Sequence, residues 1–225
     1  GRLPRPAAPA AGEAAAAGGA AAAASDAAAA AELKEQIMAD AARVDRGFAM
    51  SAAQRKDLIQ LVQRLAALNP TPRPAEAWGP AGDGADATLV GNWELVWSDA
   101  PDVARPSSER TGQRIVVDAS GRRTITNVVA VPLPVLSGLG ATVELNVETL
   151  ASVASPEKVD LRIRGIDAKP ADTWPRLLPF LSLFSLLPKS DGGAPFGAFE
   201  VLYLDKMFRV TRTNSGYYAV NRRIY

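Results

Sequence analysis

Residues 89–98 constrain the fold more than any other stretch of the chain. They contain a Gly-x-Trp step at Gly91 and Trp93, followed by an alternation of large apolar residues with smaller or polar ones. Side chains two positions apart on a strand share a face, so a regular strand points Trp93, Leu95 and Trp97 in one direction. The segment therefore predicts a strand that either closes the bottom of a β-barrel or lines an apolar cavity.

The same period of two continues through the C-terminal half of the chain. Ile115 and Val117 alternate with polar neighbours, and residues 118–121 (Asp-Ala-Ser-Gly) predict a turn into the next strand. Further strand candidates are residues 123–129, 142–148, 159–164, 199–204, 207–213 and 217–224. Half-polar strands with short turns and no helices between them favour a mainly β fold, an antiparallel β-barrel.

Two helices are predicted ahead of the strands, in residues 32–69. Apolar residues recur at helical spacing up to Gly47 in the first helix. Ser51 and Gln54 form a capping-box pattern at the start of the second. The second helix carries one apolar stripe, formed by Leu58, Leu61, Leu65 and Leu68. The stripe is too short for a coiled-coil seam, so we expect both helices to pack on the outside of the barrel.

The remaining segments divide the chain. Residues 1–31 are rich in Ala, Gly and Pro, which indicates disorder or a frayed alanine helix, either as a targeting-peptide remnant or as a plain linker. Residues 70–88 are also Pro- and Gly-rich and predict a linker. Residues 89–225 form the predicted β-barrel domain.

The amino-acid composition excludes several classes of catalytic and metal site. The 225 residues include no histidine and no cysteine, and the net charge is +1. Disulfides, thiolate metal sites, cysteine nucleophiles and Ser-His-Asp arrangements are therefore excluded. Basic residues are scattered, which argues against a nucleic-acid partner. We expect a protein that is not an enzyme and has no metal site.

The charged residues near the C-terminus allow two interpretations. In the first, Asp205 lies in a hairpin turn and Arg209 and Arg212 lie on its solvated side. In the second, a charged group near the barrel mouth binds the polar head of an otherwise apolar ligand. The two arginines are an odd number of residues apart, so a regular strand cannot point both inward.

Residues 174–188 do not alternate and contain Pro175, Pro179 and Pro188. Their apolar run, residues 177–187, is shorter than a membrane span. The segment is either a buried plug across a barrel end or an exposed apolar loop that enters a lipid surface. Because proline lacks an amide donor, we expect a lipid- or partner-facing surface rather than a regular strand. The residues predicted for this surface are Leu177, Phe180, Leu181, Leu183 and Phe184.

Several separated blocks together resemble the plastid lipid-associated protein family, also called fibrillins. The blocks are Val-Asp-Arg-Gly at 44–47, Leu-Asn-Pro-Thr-Pro at 68–72, Gly-Asn-Trp-Glu-Leu at 91–95, Tyr-Leu-Asp at 203–205, Arg-Val-x-Arg at 209–212 and Gly-Tyr at 216–217. They span about residues 40–225. The chain departs from the pattern after Asp205, where Lys206, Met207 and Phe208 stand in place of further acids and a leucine.

The resemblance implies a lipocalin-like fold and a non-enzymatic protein in the chloroplast, at plastoglobules or thylakoids. It carries Trp93, Asp205, Arg209 and Arg212 over as family-pattern positions. The implied ligand is a prenyl lipid, carotenoid or acyl lipid, and no other cofactor is expected. The full set of predicted ligand-binding residues is Trp93, Leu95, Trp97, Tyr203, Asp205, Arg209, Arg212 and Tyr217.

Two other functions remain open. The chain is alternatively a peripheral subunit of a photosynthetic complex or of a lipid-biosynthetic enzyme. An isomerase-like enzyme that uses Asp205 or Tyr217 as acid or base is the weakest alternative, because no partner for either residue is visible.

Closing a barrel brings its first and last strands together. We therefore expect Trp93 to be buried, with an arginine from the C-terminal strands stacked on its indole.

Overall fold

The computed structural model describes residues 11–79, 87–101, 110–132, 142–170, 184–187 and 189–225. Two α-helices come first, α1 (Ala11–Arg43) and α2 (Ala52–Ala66). The strands follow as β1 (Gly91–Ser98), β2 (Arg110–Val117), β3 (Arg123–Pro132), β4 (Thr142–Val153), β5 (Lys158–Pro170), β6 (Phe184–Leu187), β7 (Ala194–Leu204), β8 (Phe208–Thr213) and β9 (Tyr218–Ile224).

Eight of these strands close into a ring in which every described pairing is antiparallel. Neighbours run in the order β1, β2, β3, β4, β5, β7, β8, β9, and β9 pairs with β1 again. We call this set the strand ring; β6 adds to β5 beside β7. The mainly β, antiparallel prediction with N-terminal helices is confirmed, whereas the lipocalin-like β-barrel remains a prediction.

The buried apolar residues form two separate cores. The inner core draws on β1, β2, β3, β5 and β7 and lies on the inward face of the ring. It comprises Ala75, Trp78, Leu89, Trp93, Ile115, Ile125, Val159, Phe199, Val201 and Leu204. The helix-side core joins both helices to the outward face of β1, β7, β8 and β9. The predicted packing of the helices outside the ring is confirmed.

A β-bulge in β1 overturns one prediction. Leu95 pairs with Asn221 and Trp97 with Val220, so Val96 is an extra residue on β1. A bulge reverses the face of the residues that follow it. Trp93 therefore lies in the inner core and Trp97 in the helix-side core. The prediction that the two indoles share a face is wrong.

The α2 predictions are confirmed. Ser51 Oγ accepts a hydrogen bond from the Gln54 amide, and Gln54 Oε1 accepts one from the Ser51 amide. Three leucines of the predicted stripe are buried and Leu68 packs against them.

The first helix extends further toward the N-terminus than its apolar stripe. It begins at Ala11, so the predicted boundary after residue 31 falls inside α1. Alanine-rich sequence has high intrinsic helix propensity, which accounts for the extension. Residues 20–29 are exposed, and from residue 20 onward Ala30 is the first buried residue of the helix.

The predicted linker, residues 70–88, is partly built into the fold. A 3₁₀ turn, Pro74–Glu76, places Ala75 and Trp78 in the inner core. The Ala75 amide donates to the Pro156 carbonyl, and the Trp78 indole donates to the Ala75 carbonyl. These contacts close one end of the strand ring.

Candidate functional site

Trp93 lies at the closed end of the ring between two guanidinium groups. Its side chain is 1% exposed, and its indole N–H donates to the Leu89 carbonyl at 2.8 Å. The guanidinium carbon of Arg209 lies 4.8 Å from a Trp93 ring centroid, and that of Arg223 lies 4.3 Å away. The predicted stacking of a C-terminal arginine on this indole is confirmed, and there are two such arginines.

Arg223 connects β9 to the segments that precede β1 and β8. From β9 it donates to three backbone carbonyls, those of Lys206, Val90 and Thr88, at 2.5–2.7 Å. Burial lowers the pKa of Arg223, with Tyr225 and Asp205 acting in the opposite direction. With its guanidinium directed at these carbonyls, Arg223 has a structural role.

Arg209 is bound differently. It is 1% exposed, and its Nη2 donates to the side-chain oxygens of Gln113 and Asn221. Its Nε and Nη1 are buried without an acceptor among the described residues. Gln113 in turn donates to Asn127 Oδ1 at 2.7 Å. We call Trp93, Arg209 and these three amide side chains the polar floor.

The charge of Arg209 faces neutral partners. Both groups that accept from it are amides, and the nearby charge is a second cation, Arg223. Burial first, and Arg223 second, lower the pKa of Arg209 to about 9. At pH 7–8 the guanidinium is still mostly protonated, so the polar floor is cationic.

Beside the polar floor, the inward face becomes an apolar wall. Strand register places Val129, Leu145, Val147 and Ile166 on the same face as the buried Ile125, and Val147 pairs directly with Asn127 of the floor. These four side chains are only half-buried, whereas the inner-core residues are closely covered. The ring interior thus has an apolar wall with accessible surface and a cationic floor.

Chemically, an apolar wall beside a cationic group can accommodate an amphiphilic molecule. Apolar side chains accommodate a hydrocarbon chain, and a few placed polar groups hold its head. The family model described as PAP_fibrillin matches residues 31–221, most of the chain. The chain belongs to the PAP_fibrillin family.

Fibrillins are plastid lipid-associated proteins, and this membership agrees with the apolar wall inside the ring. Comparison with curated proteins gives no match. Within the described residues, no helix is both long and apolar enough to cross a membrane. Nor does that part of the chain bring three His, Cys, Asp or Glu residues together as metal ligands.

The family-pattern residue Asp205 lies outside the ring and forms a tether. Its Oδ1 accepts from the amides of Met207 and Phe208 in the β7–β8 turn. Its Oδ2 accepts from Lys34 of α1 at 2.6 Å and from the Tyr203 hydroxyl at 2.8 Å. Asp205 therefore lies in the hairpin turn, as the first interpretation predicted, and it also holds α1 against the hairpin.

The pKa values of the two acidic groups in this tether, Asp205 and Tyr203, are shifted in opposite directions. Burial raises the pKa of Asp205, but hydrogen bonds from Lys34, Met207 and Tyr203 outweigh it and hold that pKa below its usual value. Burial and the neighbouring Asp205 carboxylate raise the pKa of Tyr203.

The other predicted ligand-binding residues lie in different parts of the molecule. Leu95 is buried on the inward face beside Asn221, whereas Tyr203 joins Trp97 in the helix-side core. Arg212 pairs with Glu200 at 2.5 Å on the surface, and Tyr217 lies in the turn before β9. The structure therefore brings Trp93, Leu95 and Arg209 together and places the remaining predicted residues elsewhere. The interpretation that both arginines are solvated is wrong for Arg209.

The apolar segment 174–188 is described only in part. Residues 184–187 form β6, which pairs with the edge of β5, and Phe184 lies opposite Ala168. The prediction that excluded a regular strand is wrong there, because none of the three prolines lies within β6 and each of its residues has a backbone amide. Leu177, Phe180, Leu181 and Leu183 lie outside the described residues.

Sequence reasoning missed Arg223, Gln113, Asn127 and Asn221. Each lies two residues from a position that turned out to face inward: Gln113 beside Ile115, Asn127 beside Ile125. A polar residue in phase with buried isoleucines on a strand is the signal that could have found them.

Proposed function

We propose that this fibrillin holds the apolar part of an isoprenoid or acyl lipid inside its strand ring and works at plastoglobule or thylakoid surfaces. The half-buried apolar wall beside the cationic floor is the observation that carries the proposal. An interior made only for stability would be covered throughout, as the inner core is. The lipocalin-like barrel is the architecture that we propose for this interior.

A non-catalytic role is part of the proposal. Fibrillins are generally structural proteins, and this membership supports the role better than the lack of His and Cys does. The charged group of the described polar floor is Arg209, whose guanidinium stays mostly protonated at neutral pH and therefore makes a poor general base.

Native purification followed by lipid mass spectrometry tests the proposal. We expect a prenyl lipid or acyl lipid in stoichiometric amount. Val129→Trp fills the apolar wall and should abolish lipid recovery. Val128→Trp makes the same change on the outward face of the same strand and should leave it intact.

Equal lipid content in the two variants would contradict an interior site. A lipid-free wild type that co-purifies with a stoichiometric protein would instead favour the alternative, a peripheral subunit of a photosynthetic complex or of a lipid-biosynthetic enzyme.

A further inference from the structure

Arg209 has unused hydrogen-bonding capacity in a place where proteins rarely leave any. A guanidinium carries five N–H donors, and those on Nε and Nη1 have no acceptor among the described residues. Buried charges are normally paired with an opposite charge, because desolvating an unpaired ion is costly. The described residues supply Arg209 with two neutral amide oxygens only.

We infer that Arg209 is the head-group site for a carboxylate, so that the ring interior takes a free long-chain carboxylic acid in preference to a neutral lipid. The inference rests on the proposed lipid-binding function and specifies its ligand class. A carboxylate supplies an acceptor for an unused Arg209 donor and the missing negative charge. Arginine and carboxylate form the strongest class of hydrogen bond between side chains.

The free donors of the floor belong to one cation, which favours a head group with one negative charge. Arg223 already donates to three backbone carbonyls, which leaves Arg209 as the cation with free donors among the described floor residues. A phosphate monoester carries up to two negative charges, and the described floor offers it free donors from a single cation, Arg209. A carotenoid hydrocarbon has no acceptor and would leave Arg209 unpaired.

The apolar wall selects the rest of the ligand. Val147 pairs with Asn127 of the floor, so apolar surface begins next to the polar group. Val129, Leu145 and Ile166 continue that surface across three strands. A carboxylate held at Arg209 would therefore have its alkyl chain in contact with hydrocarbon from the first carbons onward.

The experiment compares matched ligands on the delipidated full chain. Oleate and oleyl alcohol share a chain and differ in the head group, and binding of each is measured by calorimetry below its micellar concentration. We expect oleate to bind at least about tenfold more tightly than the alcohol, as hydrogen bonds to a charged group imply. Acetate and inorganic phosphate should not bind measurably, because they lack the chain.

Variants then assign the preference to one residue. Arg209→Gln should bind oleate and oleyl alcohol equally, while Arg209→Lys should keep part of the preference through its charge. Arg212→Gln removes a surface arginine from the same strand and should behave as wild type. If Arg209→Gln does not fold, the ligand comparison on the wild type still decides.

The outcomes separate the two proposals. Equal affinity of the wild type for oleate and oleyl alcohol would overturn the carboxylate site and leave lipid binding in place. Failure of both to bind would overturn the carboxylate site, and lipid mass spectrometry of the natively purified protein would then decide whether it holds an isoprenoid lipid instead. Acetate or phosphate binding as tightly as oleate would overturn the long-chain ligand and indicate a small-anion site.

Discussion

Trp93 connects the closed end of the ring to the cationic floor. Its indole N–H donates to the Leu89 carbonyl, and the guanidinium groups of Arg209 and Arg223 both lie over its ring. We expect Trp93→Ala to lower the free energy of unfolding by roughly 3–5 kcal/mol, because a large buried ring is lost. Urea denaturation followed by circular dichroism measures the change.

Trp93→Phe is the matched control for that prediction. It keeps an aromatic face for the guanidinium groups and loses the indole hydrogen bond, so its cost should be clearly smaller. Equal costs for the two variants would show that the hydrogen bond, rather than the ring, accounts for the role of Trp93.

The Asp205 tether makes the free energy of unfolding depend on pH, and one substitution can measure this dependence. Its folded-state pKa lies below the unfolded value, so the stabilisation is complete above about pH 4 and is lost as the pH falls through the folded pKa. We expect Asp205→Asn to be less stable than the wild type at pH 6 by about 1–3 kcal/mol, with the gap narrowing toward pH 2. Thermal melts at a series of pH values measure that gap.

Glu200→Gln provides the comparison for the tether. It removes an ion pair with Arg212 in which both side chains are about 40% exposed. Such pairs contribute about 0–1 kcal/mol because solvent screens them. A gap for Asp205→Asn that did not change with pH would contradict the assigned role of the carboxylate.

At the scale of elements, periodicity located the strands but not their faces. The period of two predicted β2 to β5 and β7 to β9 from residues such as Ile115 and Val159. It failed at Val96 and near Leu202, where bulges move Trp97 and Tyr203 to the outward face. A bulge depends on cross-strand pairing over long sequence distances, so local spacing carries no sign of it.

The same reason explains how much of the candidate site was predictable. A Gly-x-Trp step with C-terminal arginines was enough to predict an arginine on Trp93. It could not show that Arg209 would lack a carboxylate, because its partners Gln113 and Asn221 come from two other strands. Burial without a charge partner is a property of the assembled ring.

The apolar segment 174–188, which includes β6, carries the prediction for membrane docking. Burying leucine or phenylalanine is worth roughly 1.5–3 kcal/mol per side chain, so three such residues can hold a protein on a lipid surface. We expect replacement of Leu181, Leu183 and Phe184 with serine to release the protein from plastid lipid fractions in a flotation assay. Circular dichroism should show an unchanged fold, and a triple variant that unfolds would place the segment in a core instead.

For the molecule as a whole, the helix-side core makes the two helices part of the ring's stability. Lys34 binds Asp205, Arg55 binds the buried Asp99 and Gln63 binds the Tyr218 hydroxyl. Without the helices, the outward faces of β1, β7, β8 and β9 would expose a large apolar patch, which is an aggregation hazard.

Two truncations test this dependence on the helices. Removing residues 1–24 should leave the melting temperature unchanged, because residues 20–24 are exposed and Ser25 remains as a capping residue for the shortened α1. Removing residues 1–69 should give protein that aggregates at low concentration, as measured by light scattering. A soluble, cooperatively melting ring without its helices would show that the inner core alone specifies the fold, and that the helices serve another purpose on its surface.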